Sequence, residues 1–379
     1  MKNFVAACLA ALLLTLPAFA AAEAPDNVEA EAALLMERET GTVLYEKNAH
    51  AVLEPASVTK IMTLLLVMEA IDSGQLTMET MVTASAHAAG MGGSQVYLKE
   101  GEQMSVHDML KAVAVASGND AAVALGEAIA GSESAFVARM NQRAKELGME
   151  DTTFQNCTGL PAEGHVTSAY DIAVMSRELL MHEAIRPYTA IWMDSLRDGS
   201  FQLSNTNKLI RFYDGATGLK TGYTATAGHC ISASAEKDGM ELIAVVLHAP
   251  SSSARFETAK SLLNFGFANY AMVDVAPDRA LAPVDVALGT QKELQPIFAE
   301  TARLLLEKTE VNGLTQNLEV CQSVEAPVQA GQKLGALSVY RADGTLLKEI
   351  SIVAPEAIPR LTTKDLFGQM LQILLMKAQ

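Results

Sequence analysis

The stretch from Pro55 to Ile71 constrains this chain more than any other. It opens Pro55-Ala56-Ser57-Val58-Thr59-Lys60, continues Ile61-Met62-Thr63-Leu64-Leu65-Leu66-Val67-Met68, and runs up to the stop signal Asp72-Ser73-Gly74. From about Ser57 to Ile71 the pattern predicts a helix that is apolar nearly all round. Such a helix has no face for water and must be enclosed at the centre of a domain. It is too short to cross a bilayer, which takes about 20 apolar residues.

The elements that would enclose it follow in order. Ala32 to Tyr45 reads as two strands around the turn Glu39-Thr40-Gly41. Helices are expected at about 105–116, at 120–130, from Glu133 to Leu147 with Ser132 or Ser134 as cap, and from Ala169 to Leu180. After residue 218 the pattern turns to strands at Leu219–Tyr223, Cys230–Ala235 and Met240–His248, closed by a helix from Ala254 to Phe265. Helices against an antiparallel sheet make an α+β domain. From about Val273 the segments become short and alternating, as in Leu318–Val324, Lys333–Tyr340 and Lys348–Val353, and predict a small all-β domain. Pro355 and Pro359 then lead to a last helix, about Thr363 to Lys377. A chain of 379 residues accommodates these two domains.

The N-terminus carries an address. Met1-Lys2-Asn3 precedes an apolar run from Phe4 to Phe19 that ends in Ala20-Ala21-Ala22, the form of a secretory signal peptide over residues 1–22. Cys8 would leave with it, and Cys157, Cys230 and Cys321 are too few for a disulfide framework. Export without such a framework fits a bacterial envelope protein. Lys+Arg is 28 against Asp+Glu 44, a net charge of −16, which argues against nucleic acid as a partner.

Three short motifs carry the chemistry. Ser57-Val58-Thr59-Lys60 stands where the buried helix begins, so residues three apart share a face and Lys60 reaches the Ser57 hydroxyl. A second Ser-x-x-Lys, Ser234-Ala235-Glu236-Lys237, falls in a strand, where positions three apart point to opposite faces. Ser57 is therefore the candidate nucleophile. A lysine base needs a lowered pKa, which burial or a neighbouring cation supplies. Lys220 of Lys220-Thr221-Gly222, on a strand, is a candidate for that cation, and Ser117-Gly118-Asn119 lies between two helices on a loop. The seven histidines contain no pair at ligand spacing, so neither a metal nor a cofactor is expected.

In this order the motifs resemble those of the low-molecular-mass penicillin-binding proteins, the serine-type D-alanyl-D-alanine carboxypeptidases. The likeness extends from about residue 27 to the C-terminus. It includes Glu54-Pro55-Ala56-Ser57-Val58-Thr59-Lys60, Gly92-Gly93-Ser94-Gln95-Val96, Ser117-Gly118-Asn119-Asp120, Thr167-Ser168-Ala169-Tyr170-Asp171 and Gly218-Leu219-Lys220-Thr221-Gly222. Gly118 departs from the Ser-Asp-Asn form of the second motif. The resemblance implies Ser57 as acylated nucleophile, Lys60 as its base and Ser117 as proton relay to the leaving amine. Asn119 would hold the substrate backbone, and Lys220, Thr221 and Arg255 would face its terminal carboxylate. Gly222 would admit the substrate along the strand edge, and the N–H groups of Ser57 and Tyr223 would form the oxyanion hole.

The implied substrate is a peptidoglycan pentapeptide ending in D-Ala-D-Ala, with β-lactams as covalent inhibitors. The implied division is a catalytic domain at 27–271, a β domain at 272–355, and a linker with an amphipathic membrane-anchor helix at 356–379. A β-lactamase, a D,D-endopeptidase and a non-catalytic envelope binding protein are the alternatives. The Gly159-Leu160-Pro161-Ala162-Glu163-Gly164-His165 stretch lacks the Glu-x-x-Leu-Asn of class A β-lactamases, and the intact reactive residues argue against a decayed site.

Overall fold

The computed structural model describes residue 25 and residues 27–277 and 280–376. The expected signal segment, residues 1–22, lies outside them. Between residues 27 and 269 the chain builds one antiparallel sheet of five strands: β1 (Ala32–Glu37), β2 (Val43–Lys47), β3 (Ala216–Thr224), β4 (Gly228–Lys237) and β5 (Met240–Ala249). Their order is β2-β1-β5-β4-β3. The two central strands are apolar at almost every position because both faces are covered. Successive residues of a strand point to opposite faces, which divides the interior in two. Ala32, Leu34 and Met36 join Ile243, Val245 and Leu247 in the larger core, whereas Ala33 and Leu35 join Leu242, Ala244 and Val246 in the smaller.

The larger core belongs to the helices. Helix α1 (Lys60–Asp72) is buried without interruption from Lys60 to Met68. Around it stand α2 (Val106–Ala114), α3 (Asn119–Ala130), α4 (Glu133–Glu146) and α5 (Ala169–Leu179). Each leucine enclosed in this way contributes about 1.5–3 kcal/mol. The other face of the sheet is closed by α6 (Ser252–Asn269) through Phe256, Ala259, Leu262 and Leu263. Serine side chains set the helix starts. The Ser105, Ser132, Ser168 and Ser251 hydroxyls accept from the backbone N–H three residues on.

Two expectations need correction here. The buried helix begins at Lys60 rather than Ser57, because Ala56–Thr59 forms a tighter 3₁₀ turn. Asn119 is the first residue of α3, so only Ser117 and Gly118 belong to the loop. The strands and α6 also run further than their apolar stretches. Pairing continues from Ala216↔Ala235 to Thr224↔Gly228 through glycine and threonine, which carry no strong pattern of their own.

Strand β6 (Tyr270–Asp274) follows α6 directly and pairs with β7 (Arg303–Glu307). Beyond it lie a three-stranded and a four-stranded sheet with two small cores, one around Val284, Val328 and Ile358 and one around Leu337, Val339 and Ile350. The expected segment Leu318–Val324 is two strands, Thr315–Val320 and Ser323–Glu325, in different sheets. A single helical turn, Lys308–Val311, interrupts the β structure. Arg303 ties this part to the first sheet, donating to Glu39 Oε2 at 2.5 Å and to Gly239 O at 2.6 Å. The last helix, α7, spans Thr363–Met376. The sulfurs of Cys157, Cys230 and Cys321 form no disulfide, the first two being buried and the third exposed.

Candidate active site

Ser57 sits on the 3₁₀ turn, where side chains three apart eclipse one another. Lys60 therefore stands over it, and its Nζ donates to Ser57 Oγ at 3.0 Å. The second acceptor of the ammonium is Thr158 O at 2.6 Å, from a loop a hundred residues away in sequence. Lys60 is 0% exposed. Burial lowers its pKa from 10.5 to about 7, against the opposing pull of Cys157 and Asp120. A group with that pKa is neutral in a large fraction of molecules at neutral pH.

The turn is held in an unfavourable conformation. Ala56 has φ +48° and Ser117, across the cleft, has φ +63°, values uncommon for residues with a Cβ and characteristic of functional sites. Two buried supports hold the first. His165 Nδ1 accepts the Gln155 N–H at 3.0 Å, so its proton lies on Nε2 and is donated to Thr59 Oγ1 at 2.8 Å. Thr59 in turn donates to Ala56 O at 2.9 Å. Burial pulls the His165 pKa down to about 4, which keeps the ring neutral with that one proton. The second support is the loop Asn156–Gly159, where Asn156 Oδ1 accepts from Gly159 N at 2.7 Å. Gly159, at φ +83°, rests on the Ala56 carbonyl so closely that a Cβ would collide with it.

Opposite the turn, strand β3 brings Lys220, Thr221, Gly222 and Tyr223. Lys220 is buried and donates to Thr221 O at 2.9 Å. Burial pushes its pKa well below the ordinary lysine value, and the charges of Lys60 and Arg255 push it further. For Lys60 too, burial is the leading cause. Thr221 Oγ1 donates to Thr206 Oγ1 at 2.7 Å. Gly222 packs against the 3₁₀ turn, where an added Cβ would meet Pro55 O and Ser57 N at 2.9 Å each. The glycine is thus needed for close approach of strand and turn. The Tyr223 ring is exposed and stacks on His229, centroids 4.4 Å apart.

Ser117 and Asn119 close the third side. Ser117 Oγ and Asn119 Oδ1 are buried without a hydrogen-bond partner in the protein, while Asn119 Nδ2 donates to Gly92 O at 2.6 Å. Buried polar atoms without partners are costly, and both belong to a site built to receive a ligand. Arg255 is buried and donates to Gly222 O at 3.1 Å, Cys230 O at 3.2 Å and Ser252 Oγ at 3.3 Å, while its buried Nε has no hydrogen-bond partner in the protein.

Ser57, Ser117, Thr221, Gly222, Tyr223 and Arg255 line a single cleft of about 340 Å³, with Ser94, Thr206, His229 and Ser252 beside them. That lining includes an arginine and no carboxylate, so in a chain of net charge −16 this cleft favours an anionic group. Ser234 and Lys237 do not cooperate. Ser234 Oγ pairs with Thr217 Oγ1 at 2.7 Å, while Lys237 lies 3.7 Å from Asp214. Among the described residues no three His, Cys, Asp or Glu side chains converge as a metal site.

The sequence motifs miss the supporting residues. Thr206 offers only a single hydroxyl in a loop and Ser252 one at the start of α6, and nothing local ties Thr59 to His165. Asp120 follows the second motif directly, yet its role is visible only in three dimensions. Its carboxylate accepts from Val96 N at 3.1 Å and Leu98 N at 3.0 Å and so fastens the 92–98 segment beside the cleft.

Comparison with known proteins finds two family matches. One described as D-alanyl-D-alanine carboxypeptidase covers residues 19–251, and one described as the C-terminal domain of penicillin-binding protein 5 covers residues 275–360. The chain is 46% identical over 333 residues to D-alanyl-D-alanine carboxypeptidase DacF of Bacillus subtilis, spanning 86% of this chain and 85% of the relative. Penicillin-binding protein 5 from Haemophilus influenzae superposes with a TM-score of 0.75 at 26% identity, over 89% of this chain and 99% of that one. Penicillin-binding protein D2 from Listeria monocytogenes, in an ampicillin-bound form, superposes with a TM-score of 0.58 at 33% identity, over 63% and 98%.

Proposed function

The chain belongs to the D-alanyl-D-alanine carboxypeptidase family; it is a serine peptidase, and from that premise we propose how its cleft divides the work. One observation carries the assignment of roles. A fully buried lysine whose pKa falls to about 7 lies 3.0 Å from a cleft-lining serine hydroxyl. Neutral Lys60 takes the proton of Ser57 as Oγ bonds to the carbonyl carbon of the penultimate D-alanine. The oxyanion forms at the N–H groups of Ser57 and Tyr223, at the head of the 3₁₀ turn and the edge of β3. When the C–N bond breaks, Ser117 hands its proton to the departing amine of the last D-alanine and takes in its place the one Lys60 holds, so Lys60 is neutral again. Water then attacks the ester, Lys60 accepts its proton and passes it to Ser57 Oγ as the acyl C–O bond breaks, and the shortened peptide leaves.

Lys220, Thr221 and Arg255 receive the terminal carboxylate, whose charge offsets the clustered cations, and Asn119 orients the peptide backbone. A β-lactam enters as a mimic of D-Ala-D-Ala and acylates Ser57, a reading supported by the ampicillin-bound relative. Mass spectrometry of the penicillin-treated protein tests the assignment. One adduct on the peptide containing Ser57 is expected, together with release of D-alanine from a pentapeptide. Stoichiometric label on another residue would overturn it.

We also infer a site of action outside the cytoplasmic membrane. Residues 1–22 direct export, residues 27–271 form the catalytic domain and 272–355 the β domain. The segment 356–379 anchors the enzyme to the membrane surface. Leu366, Phe367 and Met370 of α7 are exposed, which supports a helix lying apolar face down rather than docked on the β domain. No single helix among the described residues is long and apolar enough to cross a bilayer.

A further inference from the structure

A second cleft, of about 630 Å³, opens beside the catalytic one, and none of the chemistry above uses it. Tyr97, Lys99, Glu100, Glu102, Arg197 and Phe201 line it. Ser94 lines the catalytic cleft and Tyr97 follows three residues later. At the reach of an extended chain, the two clefts begin no more than about 11 Å apart.

Tyr97 is displayed there under strain. Its φ of +57° is unusual for an aromatic residue, and the residue is 69% exposed, so burial does not offset the strain. The backbone is pinned from both sides. The Asp120 carboxylate takes the N–H groups of Val96 and Leu98, at 3.1 and 3.0 Å. Arg197 donates to Val96 O at 2.9 Å and Tyr97 O at 3.3 Å, and is itself fixed by Glu102 at 2.7 Å. The Tyr97 and Phe201 rings meet edge to face, 6.3 Å apart at 66°, forming an aromatic corner. Pinning a strained residue to hold its ring in water is the construction of a ligand platform.

The charges around the corner decide what kind of ligand. Lys99 and Arg197 are matched by Glu100 and Glu102, so this lining is neutral where the catalytic lining is cationic. An aromatic corner with a neutral, hydrogen-bonding rim suits a pyranose, whose C–H face packs on the ring while hydroxyl and acetamido groups meet the polar side chains. We propose that this cleft is a subsite for an N-acetylated sugar of the glycan strand that carries the peptide cut at Ser57. The inference rests on the D-Ala-D-Ala reading of the catalytic cleft. Three stem residues separate the penultimate D-alanine of a pentapeptide from its sugar, and extended they span roughly 10 Å, the same order as the largest separation that the Ser94–Tyr97 connection allows between the two clefts.

The test compares two substrates on the full-length enzyme, a disaccharide pentapeptide and the same pentapeptide without sugar, by release of D-alanine. Tyr97→Asn removes the ring and keeps a residue that tolerates positive φ; Tyr97→Phe keeps the ring. Tyr97→Asn is expected to lower the ratio of kcat/KM, disaccharide over bare peptide, about tenfold through KM. Tyr97→Phe is expected to leave the ratio at the wild-type value. An unchanged ratio in Tyr97→Asn, or a wild-type enzyme with no preference for the sugar-bearing substrate, overturns the subsite alone. A wild-type enzyme that releases D-alanine from neither substrate overturns the reaction itself, and the subsite with it.

Discussion

Replacing Gly222 by alanine probes the closest approach in the site. The new Cβ would lie 2.9 Å from Pro55 O and from Ser57 N and 3.0 Å from the Ala56 Cβ. Ordinary contact begins near 3.4 Å, so strand β3 and the 3₁₀ turn must separate by about 0.5 Å. Neither partner is a flexible side-chain end; two of the three atoms are backbone. Overpacking of this kind costs about 1–3 kcal/mol of stability. The larger effect is on position. Shifting Ser57 by half an ångström stretches its 3.0 Å bond to Lys60 toward the limit of a hydrogen bond. A displacement of 1 Å costs on the order of a hundredfold in rate, so acylation should slow by about 10- to 100-fold. Stopped-flow acylation by a chromogenic cephalosporin, well below the melting temperature, measures it. Gly266→Ala provides the contrast. Its Cβ would press on Leu242 and Leu35 in the smaller core, far from the turn. It should lower the melting temperature and leave acylation unchanged. Gly222→Ala acylating within about twofold of wild type would refute the argument, as would an equal loss in Gly266→Ala.

Lys60→Arg should abolish acylation, because a guanidinium does not give up its proton; covalent labelling of the folded variant at the wild-type rate would place the base elsewhere. The pH dependence follows from the same lysine. Its neutral form is the active one and its pKa lies at about 7, so the acylation rate should rise with pH, about tenfold between pH 6 and pH 8. A rate that falls or stays flat across that range would contradict a lysine base. Enzyme truncated after Pro359 should lose binding to lipid vesicles and keep its carboxypeptidase activity on a soluble peptide; full-length protein that ignores vesicles, or leaves them in moderate salt, would remove the anchor.

The sequence by itself determined the features that depend on neighbours along the chain. The stretch from Ile61 to Met68, apolar on every side, required an enclosed central helix, and the spacing of Ser57 and Lys60 brought hydroxyl and amine together. Alternation in Leu219–Tyr223 and Lys333–Tyr340 marked strands that the structure contains within its longer ones or matches outright. Two-residue strands such as Glu293–Leu294 and Ile297–Phe298 left no legible pattern, since two residues cannot show a period. The tertiary structure alone decided how the site is held and tuned. Thr158 O reaches Lys60 across 98 residues, His165 reaches Thr59 across 106, and Arg255 reaches Gly222 across 33. Whether Lys60 is a spectator cation or a base depends on its burial, and burial is a property of everything packed around a residue, not of the residues beside it in sequence.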